Sequence, residues 1–223
     1  MHAGLRTDLR SGAVAPWDRL TEKSIAAHFG VSRTPVRESL ARLVAEGLLQ
    51  RHPDGFGLVL PDPDTLGGLY EARLALELQG IRRVENGPAE HDTGTLRALV
   101  QEWEVIRDKP PAPSPGLVAL DEDYHCRVLG AAGEPALVSV LETINDRIRA
   151  LRMYGYIASD RLAAATEDHL RILALLLDGE HAEARKVLTA HITSSRHAAL
   201  ARALHGGPAP GFVRPSTPFA AAP

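Results

Sequence analysis

Asp121 and His125 stand four residues apart, so on a helix they share one face about a turn apart. A carboxylate and an imidazole at that spacing can hold the same divalent ion. His169 and His191 stand 22 residues apart, with Gly179 beside their midpoint in Leu177-Asp178-Gly179-Glu180. If two antiparallel helices meet at that turn, each histidine lies about 11 residues, or roughly 16 Å, from it, and the two imidazoles return to one level. Bundles build metal sites in this way from facing helices. The chain has ten histidines, and taken singly each reads equally well as a surface or hydrogen-bonded core residue. The joint geometry of the four is what points to a site. His28, His52, His91, His181, His197 and His205 form no comparable set. Cys126 follows His125 directly, points about 100° away around the helix, and reads as a small packed residue.

A second kind of chemistry sits near the N-terminus. Two short helical segments are joined by Gly30-Val31-Ser32-Arg33, a helix-turn-helix pattern in which Gly30 permits the turn. Arg33, Thr34 and Arg37 then lie at the start of the second helix, where side chains reach base edges when such a helix enters the major groove. Arginine can hold guanine O6 and N7 with two bonds at once, and helix N-terminal N–H groups with Thr34 can hold phosphate. Lys23 and Arg10 are candidate phosphate contacts, as are His52 and a backbone N–H near Gly55 in the following hairpin. A helical dimerisation or protein-contact module is the alternative. Residues 1–62 carry eight Lys/Arg against seven Asp/Glu, so any footprint on DNA must be a focused patch.

The elements that would position these residues follow from capping and periodicity. Leu5 to Ser11 reads as a helix. Thr21 caps a helix from Glu22 to Phe29 with Gly30 at its end. Thr34 caps the next, with Pro35 at its first position and Val36, Leu40, Leu43 and Val44 at helical spacing. Leu48 to Arg51 and Phe56 to Leu60 can pair across Pro53-Asp54-Gly55. Pro61-Asp62-Pro63-Asp64 then interrupts the chain. Beyond it the predicted helices are about Thr65–Asn86, Thr93–Arg107, Leu117–Ala131, Pro135–Tyr154, Asp160–Leu177 and Ala182–Leu204. The expected organisation is a winged helix-turn-helix over 1–62, an all-helical bundle over 63–205 and a Pro/Ala/Gly-rich disordered tail over 206–223, mainly α in class.

Aromatics are only 4% of the 223 residues, so the core must be aliphatic, and its Leu and Ala favour helix. One cysteine excludes an internal disulfide. No apolar run resembles a signal peptide or a membrane span, so a cytoplasmic protein with no membrane partner is expected.

The run Asp18-Arg19-Leu20-Thr21-Glu22, then Phe29-Gly30-Val31-Ser32-Arg33-Thr34-Pro35-Val36-Arg37-Glu38-Ser39-Leu40 and Leu43-x-x-Glu46-Gly47-Leu48, resembles the GntR family of bacterial regulators over about the first 60 residues. The resemblance implies a winged helix, a homodimer, a palindromic double-stranded operator and main DNA contacts by Arg33, Thr34 and Arg37. The wing, Arg51-His52-Pro53-Asp54-Gly55-Phe56-Gly57, departs from the basic Gly-rich wing usual there. Asp121-x-x-Tyr124-His125, the region around Glu167-x-His169, the Asp178-Gly179-x-x-x-Glu183-Ala184 turn and His191 are similar to the C-terminal ligand domain of the FadR branch, the FCD domain. Tyr124 replaces the commoner Phe. That likeness implies a divalent metal (Zn, Ni or Mn) on Asp121, His125, His169 and His191, with a small organic acid beside it.

Arg73 lies in a helix resembling the one that faces the ligand pocket in the family. It can pair with an effector carboxylate through two parallel bonds or with Glu77 at i+4. Arg149 and Arg152 are further effector candidates, with a plain charged helix face as the alternative. A metal hydrolase or a purely structural metal clamp would use the same four ligands. No further acid–base pair, nucleophile arrangement or phosphate loop accompanies them, so a non-enzymatic regulator, a repressor as in most of the family, is expected.

Overall fold

The computed structural model describes residues 1–112, 114, 116–155 and 159–205; the tail expected to be disordered lies outside them. The order is α1 (His2–Ser11), α2 (Glu22–Phe29), α3 (Arg33–Ala45), β1 (Leu49–His52), β2 (Gly55–Leu58), α4 (Pro63–Asn86), α5 (Thr93–Asp108), α6 (Leu117–Gly130), α7 (Pro135–Gly155), α8 (Ser159–Leu177) and α9 (His181–His205). The chain is thus mainly α: a winged helix-turn-helix head followed by an all-α bundle.

The head forms where its local signals agree. The Thr21 side chain accepts from the Ser24 N–H at 3.0 Å and Ser24 Oγ accepts from the Thr21 N–H at 3.1 Å. This reciprocal box satisfies two N–H groups that an α2 start would otherwise leave bare. Gly30 ends α2 at φ 64°, a left-handed conformation that glycine adopts without a Cβ clash. Val36, Leu40 and Leu43 are buried on one side of α3. The wing is an antiparallel pair with Leu49 opposite Leu58 and His52 opposite Gly55. Leu20 adds a bridge to Phe56 that ties the hairpin to the segment before α2.

Three local expectations are corrected. The second helix starts one residue before Thr34, with Ser32 at the cap, because the extended backbone of Ser32 already turns the chain and leaves Thr34 in the first turn. The Pro61-to-Asp64 stretch does not merely break the chain. Asp62 accepts from the N–H groups of Asp64 and Thr65 at 3.0 and 2.9 Å, and Pro63 takes the first helical position of α4, where its missing N–H costs nothing. Helix α1 begins at His2 rather than Leu5.

In the body, α4 packs along α9, α5 along α8, α6 along α7, and α8 on α9. Their core is aliphatic with Trp103, Tyr70 and Tyr124 inside it. A second core fills the head and continues into the body: Leu5, Leu9, Ile25, Leu40 and Leu43 share it with Leu117, Val118, Ala150, Met153 and Leu162. Continuous apolar burial of this kind restrains the head against α6, α7 and α8. None of the described helices is long and apolar enough to cross a membrane.

Candidate metal centre and nucleic-acid interface

Three helices bring the candidate metal ligands together. Asp121 and His125 lie one turn apart on α6, His169 is on α8 and His191 on α9. The α8–α9 hairpin turns through Gly179, so both histidines return to the level of α6. All four residues are buried, and one ligand atom from each lies within 4.8 Å of the others. His169 Nε2 is 3.3 Å from His191 Nε2 and 3.7 Å from Asp121 Oδ1. His125 Nε2 is 3.7 Å from Asp121 Oδ2. Donors bound to a single ion at about 2.1 Å lie about 3.0–3.4 Å apart at right or tetrahedral angles, so the His169–His191 pair at 3.3 Å already fits, and the wider pairs, up to 4.8 Å, would draw in around an ion.

The surroundings fix which nitrogens face inward. His125 Nδ1 is 2.6 Å from Glu77 Oε2, and His191 Nδ1 is 3.1 Å from Asp168 Oδ2. Each carboxylate takes the outer N–H of its histidine, so each inner Nε2 presents a lone pair. His125 Nε2 is buried with no hydrogen-bond partner, an atom that the metal would satisfy. His169 is oriented by packing. Tyr124 stacks on it with ring centroids 3.8 Å apart and donates its hydroxyl to the His169 carbonyl at 3.0 Å, and Trp103 meets its ring edge-on at 4.2 Å. Tyr124 thus has a hydrogen-bonding task that the commoner Phe lacks.

Charge states suit a metal site. Burial disfavours the charged form of His169, and neighbouring His191 adds to this, so its pKa falls well below the usual imidazole range. Burial also lowers His125, partly offset by Glu77. Neutral imidazoles are the ligating form. Burial opposes ionisation of Asp121, but Arg152, His125 and His169 outweigh it and hold the carboxyl well below its ordinary range. Burial likewise opposes the charge on Glu77, and His125 and Arg73 overcome it, leaving the pKa at about 2. Burial pushes the Cys126 thiol up to about 12, an inert packed thiol.

The candidate effector arginines separate into two groups. Arg73 is buried, donates from Nε to Glu77 Oε1 at 2.7 Å, brings Nη2 to 3.8 Å from Asp121 Oδ2, and has Nη1 without a partner. Arg152 pairs with Asp121 and reaches Glu122 Oε1 at 3.2 Å. Both therefore border the metal cluster. Arg149 does not. It binds Glu122 and Asp146, because its place on α7 turns it towards the head.

In the head, Arg33, Thr34, Arg37 and Lys23 are exposed. Arg37 Nε bonds Glu22 Oε2 at 2.8 Å while its side chain stays 66% exposed, so it is held upright at the start of the helix. In the wing, His52 is half-buried, and Asp54 at the tip lies 3.5 Å from Arg19 Nε. A Cβ on Gly55, at φ 142°, would meet the Leu20 carbonyl oxygen at 2.4 Å, so the turn needs this glycine for its packing whatever its N–H touches. Arg10, the other candidate phosphate contact, is engaged within the chain. It bonds Asp146 Oδ1 and Oδ2 at 2.9 and 2.8 Å and lies 3.4 Å from Glu142. The side chain thus reaches α7 of the body.

Sequence reasoning missed Glu77 as the residue that orients His125, Asp168 as the one that orients His191, and Glu122 as a buried hub. The signal for Asp168 lay in its adjacency to His169: neighbours on a helix point about 100° apart, so Asp168 serves the next helix. Glu77 carried only its i+4 relation to Arg73.

Two family models match the chain: bacterial regulatory proteins of the gntR family over residues 2–55, and the FCD domain over residues 68–194. The Nta operon transcriptional regulator of Aminobacter aminovorans is 34% identical over 79% of this chain and 82% of its own length. Among solved structures, Escherichia coli McbR is similar with a TM-score of 0.69 at 25% identity, covering 86% of this chain and 92% of that one. A putative GntR regulator from Rhodococcus sp. RHA1 has a TM-score of 0.72 at 20% identity, covering 92% and 96%, a likeness of fold. The chain therefore belongs to the GntR family of DNA-binding transcriptional regulators, non-enzymatic proteins, and carries their FCD domain.

Proposed function

We propose that this regulator is a cytoplasmic repressor whose operator affinity is set by a small carboxylic acid bound beside a divalent metal, Zn, Ni or Mn. The observation that carries this reading is the convergence of four buried donors with two guanidinium groups at their edge. Asp121, His125, His169 and His191 would hold the ion, which would supply open coordination positions for an anion. Arg73 would donate from its unpartnered Nη1 to the acid's carboxylate and Arg152 would neutralise it. Glu77 and Asp168 hold the imidazoles in register.

In the head, Arg33 and Arg37 would read base edges, with Thr34, Lys23 and the N–H groups at the start of α3 on phosphate. His52 and the N–H of Gly55 would reach the backbone from the wing. A homodimer would set two such heads on a palindromic operator. The acid controls affinity by binding one dimer state better than the other. A factor of about 100 in operator affinity needs about 2.7 kcal/mol of coupling, within the usual span. The hydrolase reading is set aside with the family, and a metal that clamps the bundle without an effector is the remaining alternative.

The test is to select binding duplexes from a random pool with the metal-loaded full chain, then titrate the best duplex against a panel of mono-, di- and hydroxycarboxylic acids. One class of acid is expected to shift the dissociation constant by about 100-fold. A selected duplex whose affinity responds to none of them would leave the structural clamp.

A further inference from the structure

The cluster of charges around α6 and α7 does not end at the metal centre. Arg152 joins Asp121 to Glu122 Oε1, the latter at 3.2 Å. Glu122 Oε2 accepts from Arg149 Nε at 2.8 Å, and Arg149 Nη1 donates to Asp146 Oδ1 at 2.8 Å. Asp146 in turn accepts from Arg10 Nη2 at 2.8 Å and Arg6 Nη2 at 2.9 Å, both on α1 of the head. Asp121, Glu122, Arg149 and Arg152 are buried, and the Asp146 side chain is only 2% exposed. The chain reaches solvent at Arg6 and Arg10, each about a third exposed.

We infer that this alternating run of arginines and carboxylates is the relay through which occupancy of the metal centre reaches the head. It rests on the metal-binding reading proposed above. Each buried member is balanced by the next, and a buried ion stripped of its partner is strongly unfavourable, so a change at one end is passed along the run. A dication on Asp121 competes with Arg152 for that carboxylate. Arg152 is then drawn to Glu122, which already holds Arg149, and the grip of Arg149 on Asp146 changes. Asp146 is the carboxylate shared with α1, so the hold of the body on the head changes with it. Arg149, outside the metal cluster, is a positioning residue of this relay. By linkage, a change in the docking of α1 alters metal affinity by the same factor. The alternative is a static clasp that only fastens the head.

The test is hydrogen–deuterium exchange of the full chain with and without Zn(II), with metal per chain measured on the same samples. In wild type, the ion is expected to change exchange in residues 2–11 by about fivefold or more. In Arg149→Gln the ion should still bind at one per chain while residues 2–11 no longer respond. If circular dichroism shows that Arg149→Gln does not fold, Arg6→Gln/Arg10→Gln at the exposed end replaces it and should lose the same response. A folded variant in which α1 responds as in wild type overturns the relay. So does wild type that binds the ion without any response in α1. Failure of wild type to bind any ion brings down the metal centre itself, and the relay with it.

Discussion

In the head, the groups offered to a partner lie within five residues at the start of one helix, Arg33, Thr34 and Arg37, all exposed. In the body, the four candidate ligands come from three helices, span residues 121 to 191 and are all buried. An exposed arginine can wait for DNA in water, with no more than a surface pair such as that of Arg37 with Glu22. A buried donor must be oriented from behind, as His125 is by Glu77 and His191 by Asp168. Changes in the head should therefore act on one interaction and leave the fold alone, whereas changes in the body should act through neighbours.

The largest expected effect is in the head. Arg33→Ala or Arg37→Ala should weaken specific operator binding by about 1–3 kcal/mol for each base no longer held by two bonds, and relax specificity at that position. The helical circular dichroism signal should be unchanged. Near-normal affinity for the selected duplex in either variant would mean that α3 does not dock as described.

Chelation draws the contrast from the other side. Binding of an ion to the folded state at about 100 times its dissociation constant adds about 2.7 kcal/mol. Calorimetry with and without EDTA should therefore show a lower melting temperature without metal. Equal melting curves would show that the cluster gains nothing from an ion.

Smaller effects should follow from the supporting carboxylates. Glu77→Gln should reduce metal affinity about 10–100-fold, because His125 then loses the acceptor that fixes its tautomer. Asp168→Asn should cost less, since Asp168 is 43% exposed and water can replace it. Competition with a chromophoric chelator measures both, and equal losses would contradict the argument from burial.

A further test concerns the ion pairs of Asp146 with α1. Burial opposes ionisation of Asp146, but Arg10, Arg6 and Arg149 prevail and lower its pKa. A carboxyl lowered on folding contributes stability in full above its ordinary pKa of about 3.9, and loses it as pH falls through the lowered value. In urea unfolding, the gap between wild type and Asp146→Asn should be full at pH 7 and narrow below about pH 4. A gap independent of pH would remove the ion-pair account of Asp146.

The same contrast explains what could be read from the sequence. The Thr21 cap, the Gly30 turn and the apolar stripe of Val36, Leu40 and Leu43 are local signals, and the head they specify is the one that forms. The α8–α9 hairpin was legible because Gly179 sits midway between two histidines, so chain symmetry stood in for tertiary knowledge. The roles of Arg10, Arg149 and Glu122 were not legible. Each depends on which face of α7 meets α1 and α6, and helical spacing alone assigns a face without naming what covers it. Arg10 reads as a phosphate contact from the sequence alone, since nothing near it announces Asp146, 136 residues away.

The most direct measurement is metal per chain by plasma mass spectrometry, after chelation and reconstitution, for wild type and His169→Ala side by side. Close to one ion per wild-type chain and almost none in the variant, with equal helical circular dichroism, is the expected result. Wild type that retains no ion would contradict the metal centre and leave Asp121 and the three histidines as a buried polar cluster beneath an intact DNA-binding head.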